Sequence, residues 1–149
     1  MSHVFTYGSL MFRQVWRRVV AGEYRALAAR LPGFRRQRVR GEVFPSLEPL
    51  GANEDPLTAV VEGVLYLDVC VADVDALDAF EGADYRRIET PLLVSEQVPG
   101  GPAPGTVLVA NTYLFIAPHK VEPGEWDPMY FERNLIERFL REYPPPING

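Results

Sequence analysis

At 149 residues, 47% hydrophobic and 23% charged, the chain has the make-up of one ordinary globular domain. No apolar run approaches the ~20 residues of a membrane-spanning helix, so no membrane partner is expected. The net charge of −5 is uneven: residues 1–41 carry nine Arg against Glu23, or +8, and residues 42–149 carry −13.

A basic third on an acidic protein fits either an anionic partner or two halves that compensate each other. The arginines are not interleaved with stacking aromatics, which favours compensation over nucleic acid. Met1-Ser2-His3 opens without a basic region and apolar stretch, so no signal peptide is expected. The lone Cys70 excludes an internal disulfide and fits a reducing, cytoplasmic setting. With only His3 and His119 beside it, no Cys/His-ligated zinc is expected.

His3–Tyr7 reads as a strand that breaks at Gly8. Met11, Phe12, Val15, Trp16, Val19 and Val20 then recur as one helical face, stopped by Gly22 in a left-handed position. Arg13, Arg17 and Arg18 lie off that stripe and are expected in solvent. Glu23–Leu31 reads weakly as a strand and Pro32-Gly33 as a turn. Phe34–Val43 is expected as a solvent-facing or edge strand, with Arg36, Arg38 and Arg40 on one face. Phe44–Pro49 is too proline-rich for a central strand, and residues 50–56 form a polar loop.

Ala59–Val69 is a strong strand. Val74, Leu77 and Phe80 mark a short helix, its start favoured by Asp73 and Asp75 through the helix dipole and its end set by Gly82. Tyr85–Ser95 and Thr106–Ile116 are strands joined by the flexible 99–105 connection. The final helix spans about 128–143, capped by Asp127, and buries Phe131, Leu135, Ile136, Phe139, Leu140 and Tyr143; residues 144–149 are a tail. Strands outnumber helices and do not alternate with them. The fold class is therefore α+β, a single domain with a curved or barrel-like mixed sheet and a few helices packed outside.

Catalytic equipment of the familiar kinds is missing. Ser9 lies in no Gly-x-Ser-x-Gly elbow, Gly8-Ser9 belongs to no phosphate-loop or dinucleotide motif, and His119 is expected on the surface. Two features remain. The Gly8 turn leads from strand to helix and leaves backbone N–H groups unpaired, which suits an anion or oxyanion. Glu81 sits at the end of its helix, beside Phe80 and against the dipole, where it is either a solvated last-turn residue or an inward acid of raised pKa. Of Tyr7, Tyr85 and Tyr113, all on strands, the plain reading is packed aromatics. Arg86 and Arg87 leave opposite faces of one strand, so one must point toward the interior or a site, and a buried arginine needs a carboxylate partner.

Tyr7-Gly8-Ser9-Leu10 after a first strand resembles the opening signature of the γ-glutamylcyclotransferase-like family. Leu77-Asp78-Ala79-Phe80-Glu81-Gly82, followed by Tyr85 and Arg87, resembles its acidic signature. Phe44-Pro45-Ser46, Asn111-Thr112-Tyr113 and Gly124-Glu125-Trp126-Asp127 are similar to landmarks of its plant avirulence-induced branch and bacterial relatives.

The resemblance implies a barrel-like fold with one cavity and a cofactor-independent acyltransferase or lyase reaction. A small-molecule γ-glutamyl amine or peptide cyclises to 5-oxoproline and releases its amine. Glu81 would be the general acid/base, and the Tyr7–Leu10 loop, Tyr85, Arg87 and Tyr113 would bind substrate. Where many members continue with Gly and Asn, this chain has Phe12-Arg13-Gln14-Val15-Trp16, so no branch-specific leaving group carries over. Two other readings stand beside this one: a non-catalytic module for small carboxylates on the same fold, and nucleic-acid binding through the Arg-rich first third.

Overall fold

The computed structural model describes residues 2–142; Tyr143 and the 144–149 tail lie outside them. Nine strands and the helices between them run in the order β1 (Ser2–Thr6), α1 (Arg13–Val19), β2 (Ala26–Pro32), β3 (Phe34–Arg35), β4 (Gln37–Val39), β5 (Glu48–Pro49), β6 (Val60–Val69), α2 (Val71–Glu81), β7 (Tyr85–Val94), β8 (Val107–Phe115) and β9 (Val121–Glu125). A C-terminal helix follows, as α3 (Pro128–Tyr130), a wider π turn (Phe131–Leu135) and α4 (Ile136–Glu142).

Five strands close a barrel in the order β1-β6-β2-β7-β8, and the parallel β1–β8 contact at Val4 and Asn111 completes the ring. The other pairs are antiparallel, and of these only β7 and β8 follow one another along the chain. The fold class is thus the expected α+β mixed barrel with helices outside.

Period-two alternation explains both cores. On β1, Phe5 joins Leu27, Leu65, Leu92 and Val94 in the barrel interior, while its neighbour Val4 packs on the opposite face. That outer face meets Trp16 of α1, Leu77 of α2, and Phe131 and Phe139 of the C-terminal helix. Trp16 stacks flat on Tyr66 of β6 at 3.6 Å between ring centroids, fixing α1 against the barrel.

Several local expectations need correction. The Phe34–Val43 strand is two short pieces that pair with different partners, β3 with β5 and β4 with β9. Arg38 and Arg40 are exposed as expected and donate to the carbonyls of Pro123 and His119, but Arg36 is half-buried and donates to the Tyr7 carbonyl. Arg18 is likewise partly covered and reaches the Leu140 carbonyl. Gly22 is not left-handed. Its N–H and that of Ala21 instead bind the Asp73 carboxylate at 2.9 and 3.0 Å, so Asp73 anchors the α1–β2 turn rather than simply favouring the start of α2. A short turn with unpaired donors is satisfied from 51 and 52 residues away, which no local pattern displays.

Candidate functional site

The site forms where β1 ends and the chain turns out of the barrel. The N–H groups of Met11 and Phe12 close a tight turn on the Gly8 and Ser9 carbonyls. Among the described residues, no backbone hydrogen bond uses the N–H of Gly8, Ser9 or Leu10. Gly8 is required by contact: a Cβ there would lie 2.8 Å from Pro45 Cδ.

A small cavity of about 30 Å³ is lined by this Tyr7–Leu10 turn, Phe44, Pro45, Glu81, Tyr85 and Tyr113. That is the room of about one water molecule. Glu81, Tyr85 and Tyr113 also line a wider outer recess of about 450 Å³, together with Asp78, Arg86, Arg87 and Asn111. Glu81 therefore stands on the wall common to both spaces.

Glu81 is the last residue of α2, and Gly82 at φ 76° ends the helix behind it. Although the residue keeps some exposed surface, burial of its carboxyl pushes its pKa from 4.5 up to about 8, with the neighbouring Asp78 charge adding to the rise. It forms no ion pair with any described residue.

Asp78, three residues earlier, is held on two sides. Arg87 Nε donates to it at 3.0 Å and Tyr113 Oη at 2.6 Å, and Arg87 Nη1 continues to Asn111 Oδ1 at 3.2 Å. Arg87 thus has a carboxylate partner at the outer recess, which both Arg86 and Arg87 line while staying exposed.

The tyrosines are more than packed aromatics. Tyr7 Oη donates to the Tyr113 carbonyl at 2.5 Å and Tyr85 Oη to the Pro45 carbonyl at 2.6 Å, bracing the walls of the inner cavity. Burial raises the pKa of all three, and the Glu81 charge adds to each rise. They stay protonated donors near neutral pH.

Tyr7, Gly8, Ser9, Leu10, Glu81, Tyr85 and Tyr113 all meet at the inner cavity, and Arg87 lies outside it in the recess. Sequence reasoning did not assign roles to Asp78, Asn111, Phe44 or Pro45, although each sits inside a motif that it singled out. Neither histidine is here: His3 pairs with Asp68, and His119 is exposed on a turn beyond β8. Among the described residues, no group of His, Cys, Asp and Glu could hold a metal ion. The arrangement brings to one cavity a turn whose Gly8, Ser9 and Leu10 N–H groups make no backbone hydrogen bond among the described residues and a carboxyl group whose pKa is raised to about 8.

Known proteins resemble this chain in sequence and in fold over most of its length. The Arabidopsis thaliana AIG2-like protein A is 25% identical over 146 residues, covering 96% of this chain and 79% of that protein. The solution structure of an Arabidopsis thaliana protein superposes with TM-score 0.66 at 25% identity, covering 95% of this chain and 87% of that one. A gamma-glutamyl cyclotransferase structure has the same fold, with TM-score 0.63 at 18% identity over 99% of this chain and 82% of that one. Residues 4–128 match the family described as gamma-glutamyl cyclotransferase, AIG2-like, and the chain belongs to that family.

Proposed function

We propose that the protein is a cofactor-independent γ-glutamyl cyclotransferase, converting a γ-glutamyl amine or peptide to 5-oxoproline and a free amine. The observation that carries this reading is Glu81, a carboxyl of pKa about 8 lining the same cavity as the N–H-rich Tyr7–Leu10 turn.

The chemistry needs little else. The substrate's α-ammonium gives a proton to the Glu81 carboxylate, and the freed amine nitrogen attacks the γ-carbonyl carbon of the same molecule. A carbon–nitrogen bond closes the five-membered ring, and Glu81 returns its proton to the leaving nitrogen as the bond to it breaks. The ring nitrogen then gives up its second proton, again through Glu81, to the released amine, which departs as an ammonium. Electrons and protons balance without water or an enzyme nucleophile. The N–H groups of the turn suit the carbonyl oxygen as it gains charge, or the substrate's α-carboxylate. The inner cavity has room for one such oxygen-bearing group, and the 450 Å³ recess is of a size for the rest of a small substrate. Holding the amine over its own carbonyl supplies the proximity that makes ring closure fast.

The experiment is incubation with a panel of γ-glutamyl amino acids and amines, following 5-oxoproline. Turnover that Glu81→Gln abolishes supports the reading. Stabilisation by panel members without turnover would replace it with a carboxylate-binding module, and no response to any member would remove both.

A further inference from the structure

Arg36 stands at the one-residue break between β3 and β4, where the chain leaves its pairing with β5 and joins β9. Its guanidinium lies 5.4 Å from the centroid of the Trp126 ring, and Trp126 is held in turn by its Nε1 bond to the Val43 carbonyl at 2.8 Å. From that shelf Nη1 donates to two main-chain carbonyls, Tyr7 at 2.8 Å and Glu62 at 3.3 Å. The β1–β6 ladder ends with Thr6 opposite Val64, so Arg36 bridges the two strands just past their last pair.

Arg36 has no ion-pair partner among the described residues. Burial lowers its pKa, against the pull of Glu125, Glu62 and Asp127, so a charged group has been brought out of water to serve carbonyl oxygens. In a trans peptide the C=O and N–H point in opposite directions. With the Tyr7 carbonyl drawn toward Arg36, the Gly8 N–H is turned the other way, and Gly8 lines the inner cavity whereas Arg36 does not. A cation on that carbonyl also polarises the peptide and strengthens its N–H as a donor.

We propose that Arg36 is a positioning residue that fixes the plane of the Tyr7–Gly8 peptide and so presents the Gly8 N–H to an oxygen of the substrate. The proposal rests on the reading of the Tyr7–Leu10 turn as the donor side of the site. It gives this arginine a purpose that packing on Trp126 alone would not require.

The test compares ¹⁵N-labelled wild type, Arg36→Met and Arg36→Lys by the Gly8 amide resonance, melting temperature and kinetics on the best panel substrate. Arg36→Met should move the Gly8 amide upfield and lower kcat/KM by roughly 10- to 100-fold, with the pH midpoint unchanged. Arg36→Lys keeps the charge but not the planar fork, and should recover part of both losses. A folded Arg36→Met with an unmoved Gly8 amide overturns the proposal, as does activity lost only in step with melting temperature. If Arg36→Met does not fold, Arg36→Lys decides, and an amide and kcat/KM both equal to wild type overturn it. Should the wild type turn over no substrate, the functional reading fails while the Gly8 amide still reports on Arg36.

Discussion

Asp78 and Glu81 lie three residues apart on α2, yet Asp78 is bound by Arg87 and Tyr113 while Glu81 has no ion-pair partner among the described residues. Two neighbouring carboxyls thus have opposite surroundings. The paired one holds its negative charge beside the unpaired one and helps to raise it to about 8. Such a division suits one acid to stabilise the site and the other to move protons.

Glu81→Gln removes the proton carrier while keeping the side chain's shape. The expected loss in kcat is roughly 10²- to 10⁴-fold, with an unchanged circular dichroism spectrum. Near-wild-type turnover in a folded variant would exclude Glu81 as the acid/base.

The same substitution has a signed effect on stability. An acid that keeps its proton longer in the native state than in the unfolded chain makes stability fall as pH rises between the two pKa values. For Glu81 that window runs from 4.5 to about 8. Glu81→Gln should match wild type in Tm below the window, exceed it increasingly through the window, and keep a constant advantage above it. Thermal melts at several pH values read this directly.

Activity should follow the same group. With Glu81 as base, kcat/KM rises with pH to a limb near 8. Asp78→Asn removes the charge that raises Glu81 and frees Arg87, so the limb should move to lower pH. A pH–rate profile that does not move would show that Asp78 does not tune this acid.

Gly8→Ala would place its Cβ 2.8 Å from Pro45 Cδ, and the rigid proline ring leaves little room to yield. A cost of about 1–3 kcal/mol is expected in urea unfolding, with a matching loss of activity as the turn is displaced. Pro45→Gly in the same chain should return part of the stability, because it removes the atoms that collide.

Asp73 connects α2 to the α1–β2 turn through Ala21 N–H, Gly22 N–H and Tyr24 Oη. Burial opposes its charge, but these hydrogen bonds prevail and hold its pKa below the ordinary 3.8. Asp73→Asn should cost about 2–3 kcal/mol at neutral pH, measured by urea unfolding. A depressed acid contributes stability above its unfolded pKa and loses it as pH falls through the folded value. The gap between variant and wild type should therefore close in acid.

Much of this protein follows from local pattern. Period-two runs on β1, β6, β7 and β8 and the helical stripe of Val74, Leu77 and Phe80 place apolar faces that can be covered only by a curved sheet with helices outside. The Tyr7–Leu10 turn and Glu81 stand out in the sequence because each breaks a local rule, one leaving donors without partners and the other setting an acid at the wrong end of a helix. What only the tertiary structure decided are the long-range polar bonds. Arg36 reaching Tyr7, Asp73 reaching Gly22 and Tyr113 reaching Asp78 join residues 29, 51 and 35 positions apart. Their donors and acceptors are common residue types, and a hydrogen bond has no sequence signature until folding sets its two ends about 3 Å apart.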